Sequence, residues 1–567
     1  MCVQASFFMQ ILLIFLQFFN SNCRQFVVCW FDSKITERKR QMRNDTFQNP
    51  VLTGFYPDPS IVRVNEDYYL AASSFAYFPG LPIFHSRDLV HWEQSGYGIS
   101  RPQQLDYQNC ETSLGLWAPT IRYHEGLFYI INTFVSQGRE ARRDNFIITA
   151  KDPAGPWSDA RFIEGADGID PSLFFDRDGR MWYTGNYISS PQSYEGHHGI
   201  YLCELDRETF QIKGERKIIW DGAKTGSRWL EAPHLYYENG YYYLIAAEGG
   251  TFKHHSVVMA RCRTIDGDYE FYPGNPVLTH RHLSPEHEIS VTGHADLVQT
   301  QHGEWWMVLL GVRPYRDGHF NLGRETFLVP VRWDADGWLH ADNDDGLVHA
   351  RERLPDLAYF HTAPAFSSDN FDSASLSLLW NSIHPCPEHY FSLTARPGFL
   401  RLCLQPQVLH EICTPAFLGR RQQHSSFQMQ AAMEFTPACE AEEAGIALVQ
   451  DDRFHYTATV SMEDGQPVIR AACVKNSVRT TLARQPLHRA GRLYLTVSAD
   501  KAGYHFYYGY EPQQMTALVT GADPVLLSSV TNAGFTGTYL GMYASSNGQA
   551  SENHADFDWF LYEGSTG

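Results

Sequence analysis

Five stretches of the chain share one pattern of apolar and polar positions. DPSIVRVNEDYYLAAS starts at Asp58, APTIRYHEGLFYIINT at Ala118, DPSLFFDRDGRMWYTGN at Asp170, APHLYYENGYYYLIAAE at Ala232 and ADLVQTQHGEWWMVLLG at Ala295. Each has a short opening step, an apolar strand, a polar turn with Asn, Asp or Gly, and a second aromatic strand. Two strand-like runs around turn residues predict a β-hairpin. The starts fall about 50 to 65 residues apart, which leaves room for roughly four strands per unit. Five such units predict a five-bladed β-propeller over residues 48–345, in which each blade buries its faces against its neighbours.

The pattern changes after HARERLPDLAYFHTAPAFSS, and residues 346–368 read as a linker. From residue 369 to 567 alternating runs such as FSLTARPGFLRLCL, SSFQMQAAMEF, AGIALVQDD, YTATVSM and RLYLTVSA predict a two-sheet β-sandwich. The expected fold class is therefore all-β, a five-bladed propeller followed by a sandwich.

Residues 1–41 match neither pattern. The apolar run at residues 7–19 is short for a bilayer span and has the length of a signal-peptide core. No Lys or Arg precedes it, and NSNC behind it is not an A-x-A cleavage site. The segment reads as a poor signal or as upstream sequence outside the folded protein, with Met42 a natural start for the compact pattern. That start favours the cytoplasm, with secretion as the alternative.

Composition narrows the function. Aromatic residues make up 14% of the chain and charged residues only 19%, a balance of short strands and tight turns rather than helical bundles. A net charge of -19 argues against a nucleic-acid partner, which needs clustered Lys and Arg. The 11 cysteines form no CxxC pair and suit a reducing compartment better than a disulfide framework. His280, His282, His287 and His294 lack HExxH or paired ligand spacing, so no zinc site is expected.

Propeller symmetry gives the acids a meaning that spacing alone does not. The opening of each repeat points at the central axis, and three openings carry a carboxylate there: Asp58, Asp170, and Glu231 just before Ala232. A single Asp-Pro is ordinarily a turn whose carboxylate accepts a nearby backbone N–H. Three acids gathered on one axis are costly, because burial and like charge both oppose ionisation. That cost marks a candidate site.

YPDPS at 56–60, WAPT at 117–120, GIDPSLFFD at 168–176, WLEAPHLY at 229–236, TGHADLV at 292–298 and GRET at 323–326 together resemble glycoside hydrolase family 43. The likeness is to its β-xylosidases with an appended concanavalin-like sandwich. Sucrose-acting propeller glycosidases read differently, with Asn-Asp-Pro-Asn and Glu-Cys around their acids. The resemblance implies single-displacement hydrolysis with inversion, with Asp58 as general base, Glu231 as general acid, and Asp170 orienting that acid and raising its pKa. An inverting pair stands roughly 6.5–9.5 Å apart, to hold a sugar and a water.

The same resemblance implies substrate contacts at Phe75, Trp117, His294 and Arg324. It implies a sandwich residue reaching the pocket, for which Phe535 in GFTGTYLG is the candidate. It further implies exo action on β-1,4-xylo-oligosaccharides or arabinose-substituted oligosaccharides. A dedicated α-L-arabinofuranosidase is the first alternative. A catalytically silent carbohydrate-binding propeller is the second, and a β-galactan-acting relative a weaker one. No cofactor is required and no membrane partner is expected; a structural calcium and homo-oligomerisation are left open.

Overall fold

The computed structural model describes residues 45–107, 110–137, 142–343, 345–362, 367–387, 390–500 and 502–565. The reading of residues 1–41 lies outside these. A small two-stranded unit pairs Thr46–Gln48 with Arg351–Arg353, inside the stretch read as a linker. The remaining structure belongs to one large unit.

Within that unit five antiparallel sheets follow the five repeats, four of them four-stranded and one five-stranded. Blade 1 runs through Ser60–Val64, Asp67–Ala71, Gly80–Ser86 and Glu93–Ile99, and blade 2 through Gly115–His124, Leu127–Ser136, Arg142–Ala150 and Arg161–Phe162. Blade 3 holds Ser172–Phe175, Met181–Ile188, His198–Leu205 and Ile212–Asp221. Blade 4 holds Glu231–Glu238, Tyr241–Glu248, Ser256–Cys262 and Glu270–Phe271, with Leu278–Thr279 added at its third strand. Blade 5 holds Ser290–Gln299, Trp305–Val312, Glu325–Trp333 and Leu339–Ala341.

The second strand of a blade is packed on both faces, so it reads as a continuous apolar run rather than an alternating one. WWMVLLGV in blade 5 is the clearest case. Met307 and Leu309 pack with Tyr243, Ile245 and Met259 of blade 4, while Trp306, Val308 and Leu310 are also fully buried. Each such side chain contributes roughly 1.5–3 kcal/mol on burial. The ring closes through the segment ahead of blade 1. The Val51 amide donates to Thr326 O at 2.9 Å, and Asn49 both donates to Leu328 O and accepts from the Leu328 amide.

The C-terminal part is a sandwich of two antiparallel sheets around a core that includes Trp380, Leu418, Met433, Ile446, Leu495, Phe506 and Phe557. One of its strands comes from the propeller. Tyr77–Phe78, inserted between the second and third strands of blade 1, pairs with Asn381–Ile383 at the edge of one sheet. An unpaired sheet edge is a liability, and this one is covered by another part of the same chain. Beside it Phe55, Phe75, Tyr77, Ile383, Phe417, Val449, Tyr539 and Tyr543 form a shared apolar cluster. Arg421 crosses the seam, donating from Nε to Phe55 O at 2.7 Å and from Nη1 to Asn381 Oδ1 at 2.9 Å.

Candidate active site

Four blades open on a residue in the left-handed backbone region. Asp58, Asp170, Ala232 and His294 have φ of 54°, 52°, 51° and 50°. This conformation is uncommon for non-glycine residues, though Asp and His tolerate it better than most, and it persists where surrounding contacts enforce it. Four equivalent kinks aim the openings of four innermost strands in the same sense. Glu231 lies one residue ahead of the kink at Ala232.

Asp58 is 3% exposed and both of its oxygens are held. Arg324 Nη1 donates to Oδ1 at 2.6 Å and Ser73 Oγ donates to Oδ2 at 2.5 Å. His294 Nδ1 stands 3.9 Å from Oδ1. Asp170 is 8% exposed, and the nearby Ala232 amide, which follows Glu231 directly, favours its charged form. Glu231 is half-buried.

Burial sets the electrostatics. It raises Asp170 to about 6, with His294 opposing and the Asp58 charge adding to the rise. It also raises Glu231 well above the ordinary glutamate range, and the charges of Asp170 and then Asp58 reinforce this while Arg324 opposes it. Desolvation and neighbouring carboxylates both favour the neutral acid. The site therefore combines a carboxyl held toward its protonated form with a carboxylate fixed by an arginine and a serine, the pairing that acid–base chemistry needs.

Aromatic rings wall the same place. The Phe75 and Trp117 ring centroids are 6.3 Å apart, and Phe535 of the sandwich lies 6.2 Å from Phe75 and 5.6 Å from Trp117. The Arg324 guanidinium carbon sits 5.5 Å from the Phe75 ring centre and 5.9 Å from that of Phe535. Phe75 and Leu116 are joined by reciprocal backbone hydrogen bonds of 2.9 and 3.1 Å. Gly115 makes this approach possible: its φ is +90°, and a Cβ there would stand 2.5 Å from Phe75 O. Trp117 also borders a cavity of about 530 Å³ lined by Leu114, Val135, Gln137, Arg143 and Gly168.

All eight residues singled out from the sequence are thus in or beside this site, though two sit differently from the expectation. Arg324 does not simply project toward a sugar, since one of its amino groups is committed to Asp58. Phe75 is 2% exposed and closes the seam between propeller and sandwich. Sequence reasoning missed Ser73, a serine among small residues with nothing to mark it.

It also missed a polar layer formed two or more residues further along the innermost strands. Ser60 donates to Asp296 Oδ2 at 2.6 Å, and Arg122 reaches both Asp296 oxygens at 2.8 and 3.2 Å. Tyr236 also donates to Asp296. His234 Nδ1 meets Arg122 Nη2 and Ser172 Oγ, each at 3.0 Å. All five blades contribute to this layer. Burial opposes the charge on Asp296, yet Arg122 outweighs it and holds the carboxyl below the usual range. The available signal was that Ser60, Ser172, His234 and Asp296 occupy one position of the repeat.

A propeller carrying three axial carboxyl groups, one of them biased toward its acid form, beside an aromatic pocket has the make-up of a glycoside hydrolase. Residues 47–339 match the glycosyl hydrolases family 43 and residues 368–563 the beta xylosidase C-terminal concanavalin A-like domain. The chain belongs to glycosyl hydrolase family 43. A non-reducing end alpha-L-arabinofuranosidase of Bacteroides ovatus is 40% identical over 91% of this chain and 94% of its own length. A xylosidase/arabinosidase of Butyrivibrio fibrisolvens is 39% identical over 91% of this chain and 99% of its own. The crystal structure of a xylan beta-1,4-xylosidase from Bacillus halodurans superposes with a TM-score of 0.87 at 34% identity, covering 91% of this chain and all of the other.

Proposed function

We propose that this glycosidase removes xylose from the non-reducing ends of β-1,4-xylo-oligosaccharides by inverting hydrolysis. Water attacks the anomeric carbon and gives its proton to Asp58. The glycosidic C–O bond breaks as Glu231 passes its proton to the leaving oxygen. Asp170, by its charge, favours the protonated acid. Trp117 and Phe535 offer their rings to the apolar face of the sugar with Phe75 packed behind them, and His294 positions the base. The observation carrying this reading is the split between Glu231, raised by burial and by two carboxylates, and Asp58, paired with Arg324. The relatives named as xylosidases support xylose as the sugar. Proton NMR of early product from a β-xyloside should contain α-xylose, and β-xylose appearing first would overturn the inverting assignment.

A second reading is α-L-arabinofuranosidase activity at the same pocket, favoured by the name of the Bacteroides ovatus relative. Kinetics on aryl β-xyloside and aryl α-arabinofuranoside side by side, with xylobiose as a check, rank the two. The reaction as proposed uses protein groups, water and the sugar alone. Among the described residues no three His, Cys, Asp or Glu side chains gather to hold a metal ion.

A further inference from the structure

The aromatic lid on the pocket belongs to the sandwich, while the rings it meets belong to the propeller. A small buried polar cluster ties the two together, away from the acids. Thr112, in the loop ahead of the strand that carries Trp117, makes a reciprocal pair with Asp452 of the sandwich. Its amide donates to Asp452 Oδ2 at 2.9 Å, and its hydroxyl accepts from the Asp452 amide at 2.9 Å. The neighbouring Ser113 Oγ accepts from the Phe535 amide at 3.1 Å. One loop of the propeller is thus bound to two separate segments of the sandwich.

Those two segments are also bound to each other. Asn532 donates to Asp451 Oδ2 at 3.0 Å and to Gln450, and its own Oδ1 accepts from the Gly534 amide at 2.8 Å. Gln450 Nε2 donates to Thr536 O at 3.0 Å, and Thr536 Oγ1 donates back to Gln450 O at 2.6 Å. Phe535 is therefore fixed on both sides by residues 534 and 536. Thr112, Asp451, Asp452, Asn532 and Thr536 are all buried. A fully satisfied polar network of this kind rigidifies what it holds, because breaking it leaves buried groups unpaired.

We propose that Thr112, Ser113, Asp451, Asp452 and Asn532 form a clasp that sets where Phe535 sits against the Phe75–Trp117 pair, and so shapes the pocket wall that decides which sugar ring is accepted. They act as positioning residues, through Phe535 rather than on the substrate. A six-membered pyranose chair and a smaller furanose present different outlines to that wall, so a displaced Phe535 changes the preference between them. This rests on the pocket being the sugar site.

The test uses the full chain with Thr112→Val, Asn532→Ala, Phe535→Ala and the Asn532→Ala/Phe535→Ala double variant, assayed on aryl β-xyloside and aryl α-arabinofuranoside. Thr112→Ser serves as the conservative rescue. The single clasp variants should raise KM for the xyloside by about three- to tenfold, the scale of one lost hydrogen bond, with kcat nearly unchanged. They should shift the xyloside-to-arabinofuranoside ratio in the same direction as Phe535→Ala, and Thr112→Ser should restore it. The double variant should lose no more than Phe535→Ala alone, as expected for residues acting through one another. An unchanged ratio in folded clasp variants, or losses that add in the double variant, overturns the clasp. If Phe535→Ala itself leaves KM and the ratio unchanged, the pocket assignment falls first, and the clasp with it.

Discussion

Arg324 Nη1 lies 2.6 Å from Asp58 Oδ1, and 266 residues of chain separate them. The first blade supplies the carboxylate and the last supplies the guanidinium, so the pair exists only because the ring closes. Both groups are nearly buried, at 8% and 5% side-chain exposure, where a charge-assisted bond is strong and an unpaired partner is costly.

Arg324→Met tests whether that bond serves the base or only the sugar. Loss of a sugar contact alone would raise KM and spare kcat. A displaced base lowers kcat as well, and a fall of about 10²-fold or more in kcat is expected. Steady-state kinetics on xylobiose decide between them.

Asp58→Ala and Glu231→Ala should each lower xylobiose turnover by roughly 10²–10⁴-fold, the usual contribution of one positioned base or acid. Glu231→Ala should lose much less on an aryl glycoside with a good leaving group, because protonation of that oxygen matters less. Equal losses on both substrates would contradict Glu231 as the acid.

Asp170→Asn should move the pH profile and the stability in opposite senses. The active form needs Glu231 protonated, so activity falls as pH rises through its raised pKa. Removing the Asp170 charge takes away one cause of that rise and shifts the alkaline limb to lower pH, while burial still holds it above the ordinary range. For stability, a folded-state pKa of about 6 against 3.8 means that the native carboxyl keeps a proton the unfolded chain releases between those values. Stability is therefore lost as pH climbs from about 4 to 6. The Asn variant avoids that loss and should be more stable above this window, by on the order of 1–3 kcal/mol. Melting curves should converge as pH is lowered toward 4.

Arg122→Met should destabilise the propeller without touching the acids. It leaves Asp296 as a buried charge with its cation removed, at a cost of about 3–5 kcal/mol. Adding Asp296→Asn should recover part of the loss in thermal melts. No recovery would mean that Arg122 acts by packing rather than by charge.

The five hairpins were legible because strand period and turn chemistry are local properties. YPDPS and GIDPS, read one at a time, look like turns, and only their recurrence at one position of a repeat marked Asp58 and Asp170. Asp58 has a proline on either side, each restricting the local backbone. The structure places His294, which has no proline neighbour, in the same left-handed conformation, so the kink belongs to the blade opening as much as to proline. Ser73 and the clasp at Asp452 gave no signal, since a lone serine or a hairpin aspartate is ordinary in sequence.

Residue order along the chain was enough to specify an all-β molecule with three acids at repeat openings, because periodicity and symmetry are written in the residues themselves. Folding alone decided that Arg324 pairs with Asp58, that five blades share a polar layer around Asp296, and that a sandwich phenylalanine meets two propeller rings. Those relationships join groups tens to hundreds of residues apart. Their energies depend on distance and desolvation, which exist only once the ring has closed and the sandwich has packed against it.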